Sequence, residues 1–167
     1  DDYIQGTPAT NMVVINFAQM MANMGMGRPD PLQFSNTDAN FWGFDVESDY
    51  ALTDQLTVRA IASIVRGERD DVSDDLYRIA PDNLILALDY QGSNWVGTLE
   101  SVFYADQDQI SVTNLEQETD GYSIFNLNAR INLSADIEIG VGVENLLDEE
   151  FEDHLAGYNR AFNPDIG

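Results

Sequence analysis

Three observations predict an all-β chain, the wall of an antiparallel transmembrane β-barrel. Apolar and polar residues alternate with a period of two along six segments, the signature of strands with different surroundings on their two faces. The links between these segments alternate strictly between short and long. The segments also match the ~9–11 residues that a tilted strand needs to cross a bilayer, rather than the usual 5–6 of a globular sheet.

The first strand is expected over residues 41–52, with Trp42, Phe44, Val46, Tyr50 and Leu52 on one face and Phe41, Asp45, Glu47 and Asp49 on the other. The second, residues 56–67, sets Leu56, Val58, Ala60, Ala62 and Ile64 against the mixed row Thr57, Arg59, Ile61, Ser63 and Val65. The third, residues 83–91, sets Leu84, Leu86, Leu88 and Tyr90 against Asn83, Ile85, Ala87 and Asp89. In the fourth, residues 95–105, Trp95, Leu99 and Phe103 oppose Thr98, Glu100 and Tyr104. The fifth, residues 121–133, shows the cleanest alternation: Phe125, Leu127, Ala129 and Ile131 interleave with Asn126, Asn128, Arg130 and Asn132. The sixth, residues 137–146, sets Ile137, Ile139, Val141 and Val143 against Glu138, Gly140, Gly142 and Glu144. Glycines at 140 and 142 imply either room for something bulky or a bulge. Residues 1–5 read as the tail of a further strand.

Tight turns are expected at residues 53–55, 92–94 and 134–136, and long connections over 6–40, 68–82, 106–120 and beyond 147. Successive hairpins then put every short turn on one rim and every long loop on the other, the asymmetry of outer-membrane barrels. Aromatics near strand ends fit the interfacial girdles of such barrels. A soluble sandwich accounts for the alternation but not for the rims. Six or seven strands leave two edges, so the chain reads as a piece of a larger closed barrel.

Composition narrows the function classes. Thirty acidic and seven basic residues, all Arg, give a net charge of −23, which repels nucleic acid. There is no cysteine, hence no disulfide, thiolate metal site or thiol nucleophile. No apolar run is long enough for a membrane-spanning helix, which leaves a barrel open.

The run Val143-Glu144-Asn145-Leu146-Leu147-Asp148-Glu149-Glu150-Phe151 resembles the "v-x-N-L-f-D-x-x-Y" stretch of TonB-dependent outer-membrane receptors. Residues 153–160, Asp-His-Leu-Ala-Gly-Tyr-Asn-Arg, resemble the "HL-x-G-Y-N-R" that follows it in one branch. Gly121-Tyr122 with Asn126-Leu127 resembles the opening of the preceding strand, and Asp2-Tyr3-Ile4-Gln5-Gly6 a strand end. The resemblance spans nearly all of the chain. It implies that residues 1–167 are a partial barrel domain, roughly the last third of a plugged barrel of about 22 strands, with the plug domain and the final strand absent. Leu147 stands where the family carries an aromatic, and no TonB box is in view.

The resemblance further implies an active transporter in the outer membrane of a Gram-negative bacterium. It would capture a scarce nutrient, a metal or an iron chelate, and import it with TonB-coupled energy. Its partners would be outer-membrane lipid, a TonB-type energy-coupling protein acting through the plug, and a small-molecule or metal-chelate ligand; no cofactor and no enzymatic activity are implied. A passive porin-like or structural barrel is the alternative, and a soluble acidic cation-binding β-sandwich a further one.

The candidate residues are few. Asp45, Glu47, Arg59, Glu100, Asn126, Asn128, Arg130, Glu138 and Glu144 are expected to face the lumen, where charge pairing is chiefly structural. Met20, Met21, Met24 and Met26, with Met12 in the same loop, carry soft thioethers that suit Cu(I), and Met20, Met24 and Met26 converge if the loop turns helical; gap filling is the competing role. Gly25, Gly27 and Pro29-Asp30-Pro31 predict turns after them. His154, the only histidine, lacks a nucleophile motif and makes a weak metal ligand with Asp153. The acidic stretches at 70–75 and 116–121 do not fit a calcium loop, because Leu127 falls where the bidentate Glu belongs, and they are expected to be solvated. Gly140-x-Gly142-x-x-Asn145 lies in a strand and is no dinucleotide fingerprint.

Overall fold

In a computed structural model, residues 2–26 and 29–156 are described. Gly27 of the expected turn and Gly157, Tyr158, Asn159 and Arg160 of the family-like stretch lie outside them. Seven strands, β1 (Asp2–Pro8), β2 (Leu32–Ala51), β3 (Leu56–Arg69), β4 (Asn83–Gln91), β5 (Trp95–Tyr104), β6 (Tyr122–Ser134) and β7 (Ile137–Val143), form one antiparallel sheet in the order of the chain. Helix α1 (Met12–Asn23) lies between β1 and β2, and two short 3-10 turns, η1 (Val112–Asn114) and η2 (His154–Ala156), lie in later connections.

The ladder register confirms the alternation. Val46 pairs with Ala62, Leu88 with Val58 and Leu99, and Leu127 with Leu99 and Val143, so these apolar residues share one face. Asp45 pairs with Ser63, Arg59 with Ala87 and Asp49, and Arg130 with Val96 and Gly140, on the other. The short turns sit at one end of the sheet and the long connections at the other. β4 matches its expected bounds. The fourth and fifth strands shift by a residue at their ends, and the sixth stops at Val143.

One expected loop is a strand. Residues 32–40, read as part of a long connection, continue β2 upward, where Leu32 to Asp38 pair with β1, from Pro8 to Asp2. The β3 ladder takes over only at Ala39. The β1–β2 hairpin is therefore an arm projecting beyond the other ladders on the long-loop side. An Ala9 N–H to Pro31 carbonyl bond of 2.9 Å extends this hairpin one step beyond its last ladder pair. Above it, Asn11 caps α1 by accepting from the Val13 N–H at 2.9 Å.

Packing is inverted relative to a soluble domain. The apolar face is bare: Trp42, Phe44, Leu84, Leu86, Leu88, Leu99, Leu127, Ile139 and Val141 are all exposed. Apolar patches of more than a few hundred Å² on a protein mark an interaction or membrane surface. Trp42, Phe44 and Phe103 lie on this face toward the long-loop end, and Tyr50, Tyr90 and Trp95 toward the short turns. The upper set is capped by a bidentate Arg66–Asp82 pair on Trp42's face. Among the described residues the buried apolar side chains are Ala39, Leu76, Ile79 and Ala87. Three of them form a small core with Val65 where the β3–β4 connection folds back over the polar face. Gly67 permits this, because a Cβ there would meet Leu76 Cδ1 at 2.8 Å.

The glycines of β7 also find their reason. A Cβ on Gly142 would meet Asn128 Oδ1 at 2.5 Å, and one on Gly140 would touch Arg130 Cγ at 3.7 Å, so the room is taken by the neighbouring strand's side chains. The bulge lies elsewhere, between Asn132 and Ser134. The family-like stretch after β7 forms a knot. Asn145, at φ 49°, donates from Nδ2 to the Glu149 carbonyl and accepts from its N–H, both at 2.9 Å. Its own N–H donates to Asn126 Oδ1 at 3.0 Å. Asparagine tolerates this left-handed backbone better than most residues.

Candidate functional site

The polar face carries an ion pair and hydrogen-bonded carboxylates. Arg59 Nη2 lies 3.3 Å from Asp89 Oδ2, and Thr98 donates to the same carboxylate at 2.6 Å. Ser63 donates to Asp45, and Asn126 Nδ2 donates to Glu100 at 3.0 Å. Asn128 sits opposite Thr98, and Glu138 opposite Asn132. Glu47 pairs with Ile61 in the β2–β3 ladder, and Glu144 lies just past the last ladder pair of β7. Asp89 was not singled out from the sequence, although alternation already placed it opposite the leucines of β4.

Above these pairs, three connections meet over the polar face in a buried polar cluster. Glu116 is at its centre. Its Oε1 accepts from the Arg78 N–H at 2.9 Å, and its Oε2 from the Ser111 N–H at 2.8 Å. The same carboxylate faces His154 Nε2 at 3.2 Å, and Thr119 Oγ1 lies 3.1 Å from His154 Nδ1. Asp74 caps η1 from another loop, accepting from the Val112 N–H at 2.7 Å and from the Thr113 N–H and Ser111 hydroxyl at 3.1 Å. Gln5 of β1 reaches the Ser111 hydroxyl from below at 3.4 Å, and Gln107 donates to the Ile79 carbonyl at 2.9 Å.

The acidic stretches are solvated, as expected, at Asp70, Asp71, Glu118 and Asp120, but Asp74 and Asp75 are partly buried and Glu116 is buried. Glu116 is 8% exposed, and its charge is matched by backbone donors instead of water. Burial pushes the Asp74 carboxyl up, but hydrogen bonds from Thr113, Val112 and Ser111 outweigh it and hold the group below the usual carboxylate range. Asp75 moves the other way, raised by burial and then by the charges of Glu68, Asp74, Asp108 and Glu116. His154 is 5% exposed and wedged between a hydroxyl and a carboxylate, closed to a substrate. Such an arrangement fastens segments together.

The methionines occupy a different place. α1 makes the first connection helical over Met12–Asn23, and none of its residues is buried. Among the described residues it packs against no other strand or helix. Met20, Met24 and Met26 are each about half exposed, and Met21 is partly so. The structure does not bring His154 to them. No group of three or more His, Cys, Asp or Glu poised for a metal occurs among the described residues. No helix of the described chain is long and apolar enough to cross a membrane, which says nothing of strands.

Comparison with known proteins agrees with this geometry. The family model described as "TonB dependent receptor-like, beta-barrel" matches residues 1–146. No curated protein matches the chain. A solved structure, that of the "Copper transporter OprC", superposes with a TM-score of 0.77 at 22% identity, covering 92% of this chain and 22% of that one. At that identity the likeness shows the fold, and the chain spans about a fifth of its neighbour's length.

Proposed function

The chain belongs to the TonB-dependent receptor β-barrel family, and on that premise we propose that it forms part of the wall of an outer-membrane importer. The observation that carries this reading is the bare apolar belt backed by an ion-paired polar face on one continuous meander. A belt of this kind suits the hydrocarbon of the outer membrane of a Gram-negative bacterium. The face of Asp45, Glu47, Arg59, Glu100, Asn126, Asn128, Arg130, Glu138 and Glu144 then lines the lumen, and the long loops face outward. Residues 1–167 are a partial barrel domain in this reading, with the plug contributed by other parts of the protein.

Cargo is captured at the loop rim and passes the lumen when a TonB-type partner, acting through the plug, supplies the energy to move it. An acidic wall attracts cations, and much of its charge is already fixed by hydrogen bonds, so it steers cargo without binding it fast. A metal or metal chelate is the cargo class this favours, iron chelates included, and the structural neighbour, named as a copper transporter, points the same way. The family is one of receptors and transporters, so no catalytic step is assigned.

The test is uptake by cells making the full-length protein. Accumulation of radiolabelled metal or chelate should stop when the energy-coupling partner is deleted. Accumulation that persists points to a passive porin, and recovery of the protein in the soluble fraction without detergent rules out the barrel.

A further inference from the structure

We propose that the C-terminal end of α1 is a soft-metal site, in which Met20, Met21, Met24 and Met26 present thioether sulfurs to a monovalent d10 cation, Cu(I) or its stand-in Ag(I). All five methionines of the chain fall within residues 12–26, and four of them within its last seven positions. The helix end gathers those four. Gly25, at φ 75°, occupies the left-handed position after the cap. The Gly25 N–H bonds to the Ala22 carbonyl and the Met26 N–H to the Met21 carbonyl, both at 2.9 Å. These are the paired bonds of a Schellman motif, which brings the side chain just past the turn back onto the last helical turn, here Met26 onto Met21. Met20 and Met24 are i,i+4 neighbours, and Met21 and Met24 are i,i+3 neighbours, so they too share one surface.

The competing role for methionine is to fill gaps in a core. Among the described residues α1 buries no side chain and meets no other strand or helix, so these methionines fill no core in this part of the wall. Four half-wet thioethers on a helix of 12 residues are poorly placed for stability, since an isolated helix of that length is marginal in water. They are well placed for chelation, which would also staple the turn. The helix has no charged residue, so hard divalent ions have no carboxylate to prefer, whereas thioethers select soft ions. The biological role of the site, capture of cargo at the outer rim, rests on the uptake reading above; the binding itself does not.

The experiment is methyl NMR on the full-length protein in detergent, with 13C-methyl methionine and resonances assigned by single Met→Leu variants. Titration with Ag(I), and with Cu(I) under reducing conditions, should shift the Met20, Met21, Met24 and Met26 methyls together and leave Met12 in place. The quadruple variant M20L/M21L/M24L/M26L should weaken binding at least tenfold, while M12L should not; Leu preserves both volume and helix propensity. Zn(II) should leave the four methyls unmoved. Absence of a joint shift, an equal response of Met12, or unchanged affinity in the quadruple variant would overturn the site. Loss of metal binding in a protein that still needs detergent for extraction sinks the site alone, whereas a detergent-independent protein that binds Ag(I) sinks only the uptake reading.

Discussion

Glu116 shows how one buried residue organises three connections. Its two oxygens accept from the Arg78 and Ser111 backbone N–H groups, and His154 Nε2 lies 3.2 Å from the carboxylate. Hydrogen bonds to charged acceptors contribute about 1.5–3 kcal/mol, and a buried donor left unpaired costs a comparable amount. Glu116→Gln keeps one acceptor oxygen and turns an amide donor toward an N–H. The loop cluster should lose about 1.5–3 kcal/mol, read as faster hydrogen exchange at the Arg78 and Ser111 amides. The β4 and β5 ladders should keep their protection. Unchanged exchange at both amides would mean that the carboxylate does not fasten the loops. None of this was legible in the sequence. Arg78 and Glu116 lie 38 positions apart, and Gln5 and Ser111 lie 106 apart. A partner at that separation leaves no periodic trace, and an acidic loop residue reads as solvated until its backbone donors are seen.

At the scale of the element, legibility followed the solvents. Where a strand separates lipid from a polar interior, its residues alternate, and β4, β5 and β6 were readable to within a residue. Residues 32–38 of β2 pair only with β1, above the aromatic belt. Their alternation is too short to read, Leu32 and Phe34 giving way to Asn36 and Asp38 on the same face, and the strand reads as loop. α1 was legible only as a condition on the methionines, because a helix that meets no other strand or helix among the described residues need not be amphipathic. The lipid reading makes a sharp demand on β6. Leu127 pairs with Leu99 and Val143 in mid-belt, so Leu127→Arg should cost ~2–4 kcal/mol in a lipid-folding titration. Asn128→Arg, one residue on, points to the opposite face beside Gly142 and Thr98 and should cost far less. Equal costs at the two positions would mean that the apolar face does not meet lipid.

The whole molecule is built inside out, with its broad apolar surface outward and its small core under the loops. Stability should therefore reside in the sheet and its lipid contact, and the tip of the projecting arm, residues 10–30, should be dispensable for folding. The Ala9–Pro31 backbone bond already extends the β1–β2 hairpin past its last ladder pair, so residues 10–30 can be replaced by a short Gly-containing turn without shifting the register. Loop-closure entropy favours the shortened link, since each halving of loop length returns about 0.6 kcal/mol. The excised helix gives up no packing with the strands and helices described in this chain. The shortened protein should keep the heat-modifiable electrophoretic shift of a folded barrel and the same unfolding midpoint to within experimental error. It should also lose the Ag(I) response. A collapsed barrel would show that the arm is part of the folding unit, and that contacts of α1 with other parts of the receptor support the wall. Retention of the fold together with loss of the metal response would separate the two tasks of this chain, with the sheet acting as scaffold in the membrane and the arm as the element that meets the cargo first.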